Sequence, residues 1–155
     1  MHNKFVIIDD NIVLTGSLNL TINSLYRDNN NALKIVSKEL AQNYKAEFNR
    51  MFEQGLLGPN PHEIPYPEVK VGNSTVRVYF SPKGGTREAI AEELKKAKVS
   101  IKFMAFSLTD IQIDTILFDK FKQGLKVEGI FDGCMLSKYS LYQKFLDNKI
   151  PALID

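Results

Sequence analysis

The N-terminal stretch MHNKFVIIDDNIVLTGSLNLT concentrates the side chains of this chain that could do chemistry. His2 and Lys4 are two residues apart, so on an extended strand they project from the same face and set an imidazole beside a permanent positive charge. An imidazole exchanges protons near neutral pH and can attack an electrophile, and a neighbouring ammonium suits an anionic one, so the pair fits a phosphodiester. Further on, Asn19 can donate its amide to a phosphate oxygen. Ser17 and the backbone around Gly16 can add donors at a turn where glycine fits best. Asp9 has two readings of equal standing, a direct catalytic part or a carboxylate that satisfies backbone N–H groups in the turn before Ile12.

These residues need a scaffold. Phe5 to Asp9 and Ile12 to Thr15 read as strands around the turn-prone Asp9-Asp10-Asn11, and Ala32 to Val36 as a third strand. Ser37 caps a helix whose inner face is Leu40, Tyr44, Phe48, Met51 and Phe52 at three- and four-residue spacing, ended by Gly55 and Gly58. The proline- and glycine-rich GLLGPNPHEIPYPEVKVGNST has no steady period and reads as an extended linker. Beyond it strand and helix patterns alternate: Val76 to Phe80, helix Thr86 to Ala97, Val99 to Phe106, helix Asp110 to Lys122, Leu125 to Phe131, helix Tyr139 to Asp147, then Ile150 to Ile154. Ile90, Leu94 and Ala97 line one helix, and Ile113, Ile116, Leu117 and Phe121 the next. Such alternation predicts an α/β fold with a mixed, largely parallel sheet flanked by helices on both faces.

Composition bounds the reading. At 155 residues the chain is long enough for a real core, and 44% hydrophobic with 25% charged residues is ordinary globular composition. No apolar run approaches the ~20 residues of a membrane span, so no integral membrane segment is expected. A net charge of +2 is too small to argue for nucleic acid by itself. One cysteine, Cys134, excludes an intrachain disulfide and reads as a small buried hydrophobe. With that one thiol and two histidines a metal cage is not expected. The N-terminus lacks the pattern of a secretory signal, so cytoplasmic is the default location, unless a leader has been lost. Thr86 after Lys83-Gly84-Gly85 reads as a helix cap in preference to an anion site, Lys95, Lys96 and Lys98 as a solvated face, and Tyr79, Phe80, Phe103 and Phe106 as core or half-core residues.

Taken together, His2-x-Lys4, Asp9 and Gly16-Ser17-x-Asn19, with the flanking FVIID and LTGSLNLT, resemble the HKD signature of the phospholipase D superfamily. The resemblance implies a metal-independent phosphodiesterase, with phospholipid or nucleic acid as substrate, that works through a phosphohistidine intermediate without a cofactor. One imidazole attacks phosphorus, and a second protonates the leaving oxygen and then activates water. His2, Lys4 and Asp9 are the implied catalytic residues, and Lys4, Ser17 and Asn19 the implied phosphate ligands. The other histidine, His62, lies in the proline-rich stretch without a lysine two residues on and reads as a surface residue.

The resemblance extends to both halves of the chain. Residues 1–56 resemble the C-terminal half of one repeat, 57–75 a linker, and 76–155 the N-terminal half of the next repeat, ending before its own motif. The second histidine is then expected from a homodimer partner or from the missing halves of a tandem parent, and the two halves present could form a circularly permuted or domain-swapped domain. An incomplete fragment that only binds phosphate groups is the alternative. Where the family often places a glutamate that orients the nucleophilic histidine, the stretch RDNNNALKI has Asn30; Asp28, a residue of the second block, or nothing then takes that role.

Overall fold

The computed structural model describes residues 2–58, 63–136 and 140–155. They form two compact units, one ending at Thr86 and the other running Arg87–Asp155. His62 and the expected helix start at Tyr139 lie outside the described residues.

The first unit is built on an antiparallel sheet in the order β1 (Phe5–Ile8), β2 (Ile12–Gly16), β3 (Ala32–Val36). Alternation sorts its faces: Phe5, Ile7, Val13 and Ile35 point to one side, Val6, Ile8 and Val36 to the other. Helix α2 (Lys38–Phe52) starts at a true cap, with Ser37 Oγ accepting the Leu40 N–H at 3.2 Å, and lays Leu40, Ala41 and Tyr44 on the first face. Its last turns depart from expectation. Phe48 and Phe52 are exposed and stack on each other at 5.0 Å, while Asn43, Glu47 and Arg50 are buried. The reason is polar: Asn43 clasps the Tyr66 backbone, accepting its N–H at 2.8 Å and donating to its carbonyl at 2.7 Å, and Arg50 holds Glu47 at 2.9 Å and the Leu56 carbonyl. Helix α2 thus turns a hydrogen-bonding edge toward the stretch expected as a linker.

That stretch is more ordered than its composition suggests. It folds a hairpin, β4 (Val69–Val71) with β5 (Ser74–Val76) around Gly72-Asn73, and Val69 is buried in the same core as Phe80. The expected strand Val76 to Phe80 is reduced to its first residue at the end of β5.

In the second unit β6 (Ser100–Ala105), β7 (Lys126–Phe131) and β8 (Ala152–Ile154) are parallel, and α4 (Ile111–Lys122) and α5 (Tyr142–Asp147) lie in the connections between them. Helix α3 (Thr86–Lys96) precedes β6. Phe145 is the centre of the core, edge-on to Phe103, Phe118 and Phe131 at 5.2–5.7 Å. Asp110 caps α4, accepting from Gln112 and Ile113, and pairs with Arg87 at 2.9 Å.

The chain is therefore mixed α/β, but the expectation of one largely parallel sheet with helices on both faces is corrected. Parallel pairing is confined to the second unit, where the core residues of α3, α4 and α5 pack on one face and leave Met104 and Leu153 exposed on the other. The first unit is antiparallel because a tight turn joins β1 to β2. Two smaller expectations also change: Cys134 is exposed in a 3-10 turn after Asp132, and Tyr79 and Phe106 are exposed. No helix of the described residues is long and apolar enough to cross a membrane.

Candidate functional site

The β1–β2 hairpin decides which of the expected residues meet. Asp9 and Asp10 both take positive φ, 52° and 49°, and the Asn11 N–H closes the turn on the Ile8 carbonyl at 3.1 Å. A turn of this kind matches the strand twist and tolerates Asp. The register pairs Ile8 with Ile12 at this end and Phe5 with Thr15 at the other, so Lys4 stands opposite Gly16 by continuation. His2, Lys4, Gly16, Ser17 and Asn19 thereby share one end of the hairpin. Asp9 is at the opposite end, roughly 17 Å from Lys4 at the rise of a strand. Asp9 stands in the turn, beside the Asp10 carboxylate that Lys45 holds at 2.6 Å, away from the other residues expected at the site.

At the site end the strand is pinned from beneath. Thr15 Oγ1 donates to the Lys4 carbonyl at 3.1 Å, and the Phe5 ring packs edge-on to Tyr44, itself edge-on to Phe80. Burial pushes the Tyr44 phenol above its ordinary pKa, with Thr15 acting in the opposite sense, so Tyr44 stays a neutral part of this floor. His2 and Lys4 lie just before β1, and the Lys4 ammonium donates one hydrogen bond to the His2 carbonyl at 2.8 Å. Two of its three protons remain for a ligand.

The Gly16-Ser17 turn is held against the start of β3. Ser17 N–H donates to the Asn31 carbonyl at 3.1 Å, and the Ser17 hydroxyl accepts from the Asn31 N–H at 3.1 Å. The hydroxyl's own proton goes to Asn30 Oδ1 at 2.8 Å. Asn30 is oriented for this by its amide nitrogen, which donates to the Ser24 carbonyl at 3.2 Å. Asn30 therefore does not occupy itself with a histidine: it fixes Ser17. Asp28 is likewise engaged, accepting from Ser24 Oγ at 3.0 Å. Of the alternatives for orienting His2, neither Asn30 nor Asp28 does so, and no hydrogen bond to the His2 ring is present among the described residues. Gly16 is obligatory, since a Cβ there would stand 2.2 Å from the Asn31 carbonyl oxygen.

What results at this hairpin end is a half-buried Lys4 with exposed His2 and Asn19 at the same end, and a Ser17 whose N–H and hydroxyl are both engaged by Asn30 and Asn31. Thr15 and Asn31 are the residues that spacing did not single out here, and Asn30, weighed as a partner of the histidine, bonds Ser17 and Ser24. Register against β2 is the signal that finds Asn31, because Ala32 pairs with Gly16. Among the described residues no group of His, Cys, Asp or Glu could hold a metal ion.

The hairpin end that carries these residues lies within a stretch that is similar to the phospholipase D superfamily. Residues 1–52 match the family described as "Cardiolipin synthase, PLD-like domain". The chain is 24% identical over 155 residues to a "Phospholipase D" of Rickettsia prowazekii, covering 66% of that protein. It is 32% identical over 74 residues to a "Mitochondrial cardiolipin hydrolase" of Canis lupus familiaris and 37% over 54 residues to that of Homo sapiens. These alignments cover 28% and 21% of the two hydrolases, so the chain matches about a quarter of their length.

Proposed function

We propose that this chain supplies one half of the active site of a metal-independent phosphodiesterase that hydrolyses phospholipids through a phosphohistidine intermediate. The observation that carries the reading is the meeting of His2 and Lys4 with the Gly16-Ser17-x-Asn19 turn at one end of a single hairpin. Lys4 and Asn19 hold the non-bridging oxygens, and the Lys4 charge stabilises the negative charge that builds in the transition state. Ser17 joins them when its hydroxyl rotates away from Asn30.

The His2 imidazole attacks phosphorus, its nitrogen–phosphorus bond forming as the bond to the leaving oxygen breaks. A protonated second histidine gives its proton to that oxygen. The same second imidazole, now neutral, takes a proton from water, whose oxygen displaces His2 and releases the phosphate monoester. The second histidine belongs to another copy of the motif, on a homodimer partner or on further segments of a longer chain. The names of the relatives, phospholipase D and cardiolipin hydrolase, favour phospholipid over nucleic acid.

The test is hydrolysis of an activated, water-soluble phosphodiester in the presence of a chelator, with His2→Ala alongside. Turnover that survives the chelator and vanishes in His2→Ala supports the reading, and turnover unchanged in His2→Ala overturns it. Absence of turnover in wild type as well leaves the phosphate-binding fragment as the function of the chain by itself.

A further inference from the structure

The segment between Asn19 and Asn30 is folded inside out. Thr21 caps the short helix α1 (Ile22–Tyr26), accepting the Ser24 N–H at 3.3 Å. Ile22, Leu25 and Tyr26 are spaced three and four apart and share one face, while Ser24 falls on the opposite one. In an ordinary surface helix the apolar face turns inward. Here Ser24 is the buried residue, at 4% exposure, and Ile22, Leu25 and Tyr26 are 73%, 52% and 80% exposed, with Leu20 beside them at 78%.

The cause is the hydrogen bonding already described. Ser24 Oγ donates to Asp28, and the Ser24 carbonyl accepts from Asn30. The polar side of the segment is thereby committed to the cradle, and the apolar side has nowhere to go but out. Charge follows the same division. Asp28 is turned toward Ser24, whereas Arg27, next after Tyr26, is exposed with no carboxylate bound to it among the described residues. The outward surface is therefore an apolar ridge with a cationic flank, directly following the phosphate ligand Asn19 in sequence. This is the composition of an interfacial lipid contact: aliphatic side chains and an amphipathic tyrosine for the acyl boundary, and a cation for anionic headgroups.

We infer that Leu20, Ile22, Leu25 and Tyr26 form an interfacial anchor that seats this site on an anionic phospholipid surface. The inference rests on the phospholipid reading of the site, and it specifies how that site meets a substrate that stays in its bilayer. The anchor enters the headgroup boundary, Arg27 meets anionic headgroups, and the cradle comes to the level of the phosphodiester.

The experiment is cosedimentation of the full chain with vesicles of phosphatidylcholine containing phosphatidylglycerol, compared with pure phosphatidylcholine. The variants are Ile22→Ser/Leu25→Ser/Tyr26→Ser, Arg27→Gln and His2→Ala. Wild type and His2→Ala are expected to bind anionic vesicles alike, and the triple variant to bind at least ~tenfold more weakly. Arg27→Gln is expected to lose the preference for anionic over neutral vesicles. Thermal unfolding and hydrolysis of a soluble phosphodiester are expected to be unchanged in the triple variant. Wild type that does not sediment with vesicles, or a triple variant that sediments as wild type does, overturns the anchor. So does sedimentation equilibrium showing that the ridge substitutions split a dimer while vesicle binding is unaltered, which assigns the ridge to a second copy. Loss of soluble hydrolysis in every protein, with sedimentation still dependent on the ridge, refutes the hydrolase reading and leaves the lipid contact standing.

Discussion

Gly16→Ala adds one methyl group at the point where the site is narrowest. The new Cβ would lie 2.2 Å from the Asn31 carbonyl oxygen and 2.9 Å from the Ala32 Cα, both backbone atoms of the facing segment. Ordinary contact begins at 3.4 Å, so β2 and β3 must part by about 1.2 Å at that register. Forcing such a shift costs ~1–3 kcal/mol, and the Ser17 N–H to Asn31 bond that it breaks is worth ~1 kcal/mol. The expected loss is about 2–4 kcal/mol of the first unit's stability, within the range that a folded domain survives. Urea unfolding by circular dichroism measures the loss, and amide hydrogen exchange at Ser17 and Asn31 locates it. The same displacement pulls the turn amides away from Lys4, so phosphodiester hydrolysis should fall with it. Gly72→Ala is the control. It also replaces a glycine at positive φ, 58°, but meets nothing within 4 Å, so it should cost only ~1 kcal/mol of backbone strain and leave hydrolysis alone. A Gly16→Ala protein that unfolds within ~0.5 kcal/mol of wild type and keeps its exchange protection would refute the close approach on which the cradle depends.

Other outcomes follow from single contacts. Asn43→Ala removes both bonds to the Tyr66 backbone from a fully buried site and should cost about 2–4 kcal/mol; an unchanged urea midpoint would show that the clasp holds nothing. Asp110 has its pKa lowered first by the Ile113 N–H, burial opposing this next in size and the Arg87 charge adding to the lowering, so the stability it adds is fully present above the ordinary aspartate range and is lost as pH falls through the lowered value. Asp110→Asn keeps the cap and removes that pH dependence, whereas Asp110→Ala loses ~1 kcal/mol at neutral pH. Calorimetry that shows the same gap between wild type and Asp110→Asn at neutral pH and well below pH ~4 would contradict this. Asp9→Asn should leave both the turn and hydrolysis intact, because Asn accepts the same positive φ; a large loss of turnover would return Asp9 to the catalytic group.

The site was legible in the sequence where chemistry is local. His2 and Lys4 precede β1 and do not lie on a strand, Gly16 announces a turn, and both fall at one hairpin end because Phe5 and Thr15 pair. The placing of Asp9 away from Lys4 was readable in advance: the four strand residues Phe5 to Ile8 separate the two, and a strand is rigid over that distance. What spacing could not show is the traffic of hydrogen bonds across the turn. Asn30 stands where the family often has a charged residue, yet its partners are Ser17 and Ser24, a pairing set by the register of β2 on β3. The fold was legible in its helices and strands and less so in their assembly. Composition hid the β4–β5 hairpin behind prolines, and period predicted an apolar inner face for α2 through Phe52. There Glu47 and Arg50 are buried because they bond one another and the Leu56 carbonyl. The inverted helix α1 escaped notice because its buried residue is a serine.

The central claim is that His2 becomes bonded to phosphorus. The direct measurement is mass spectrometry of the peptide containing His2 after rapid quenching, under non-acidic conditions, of a reaction with a phosphodiester substrate. The account predicts a peptide heavier by the substrate's phosphorus with its retained ester substituent, labile to acid, and absent from His2→Ala. Hydrolysis that proceeds at full rate with no adduct on that peptide, and equally fast in His2→Ala, would contradict it.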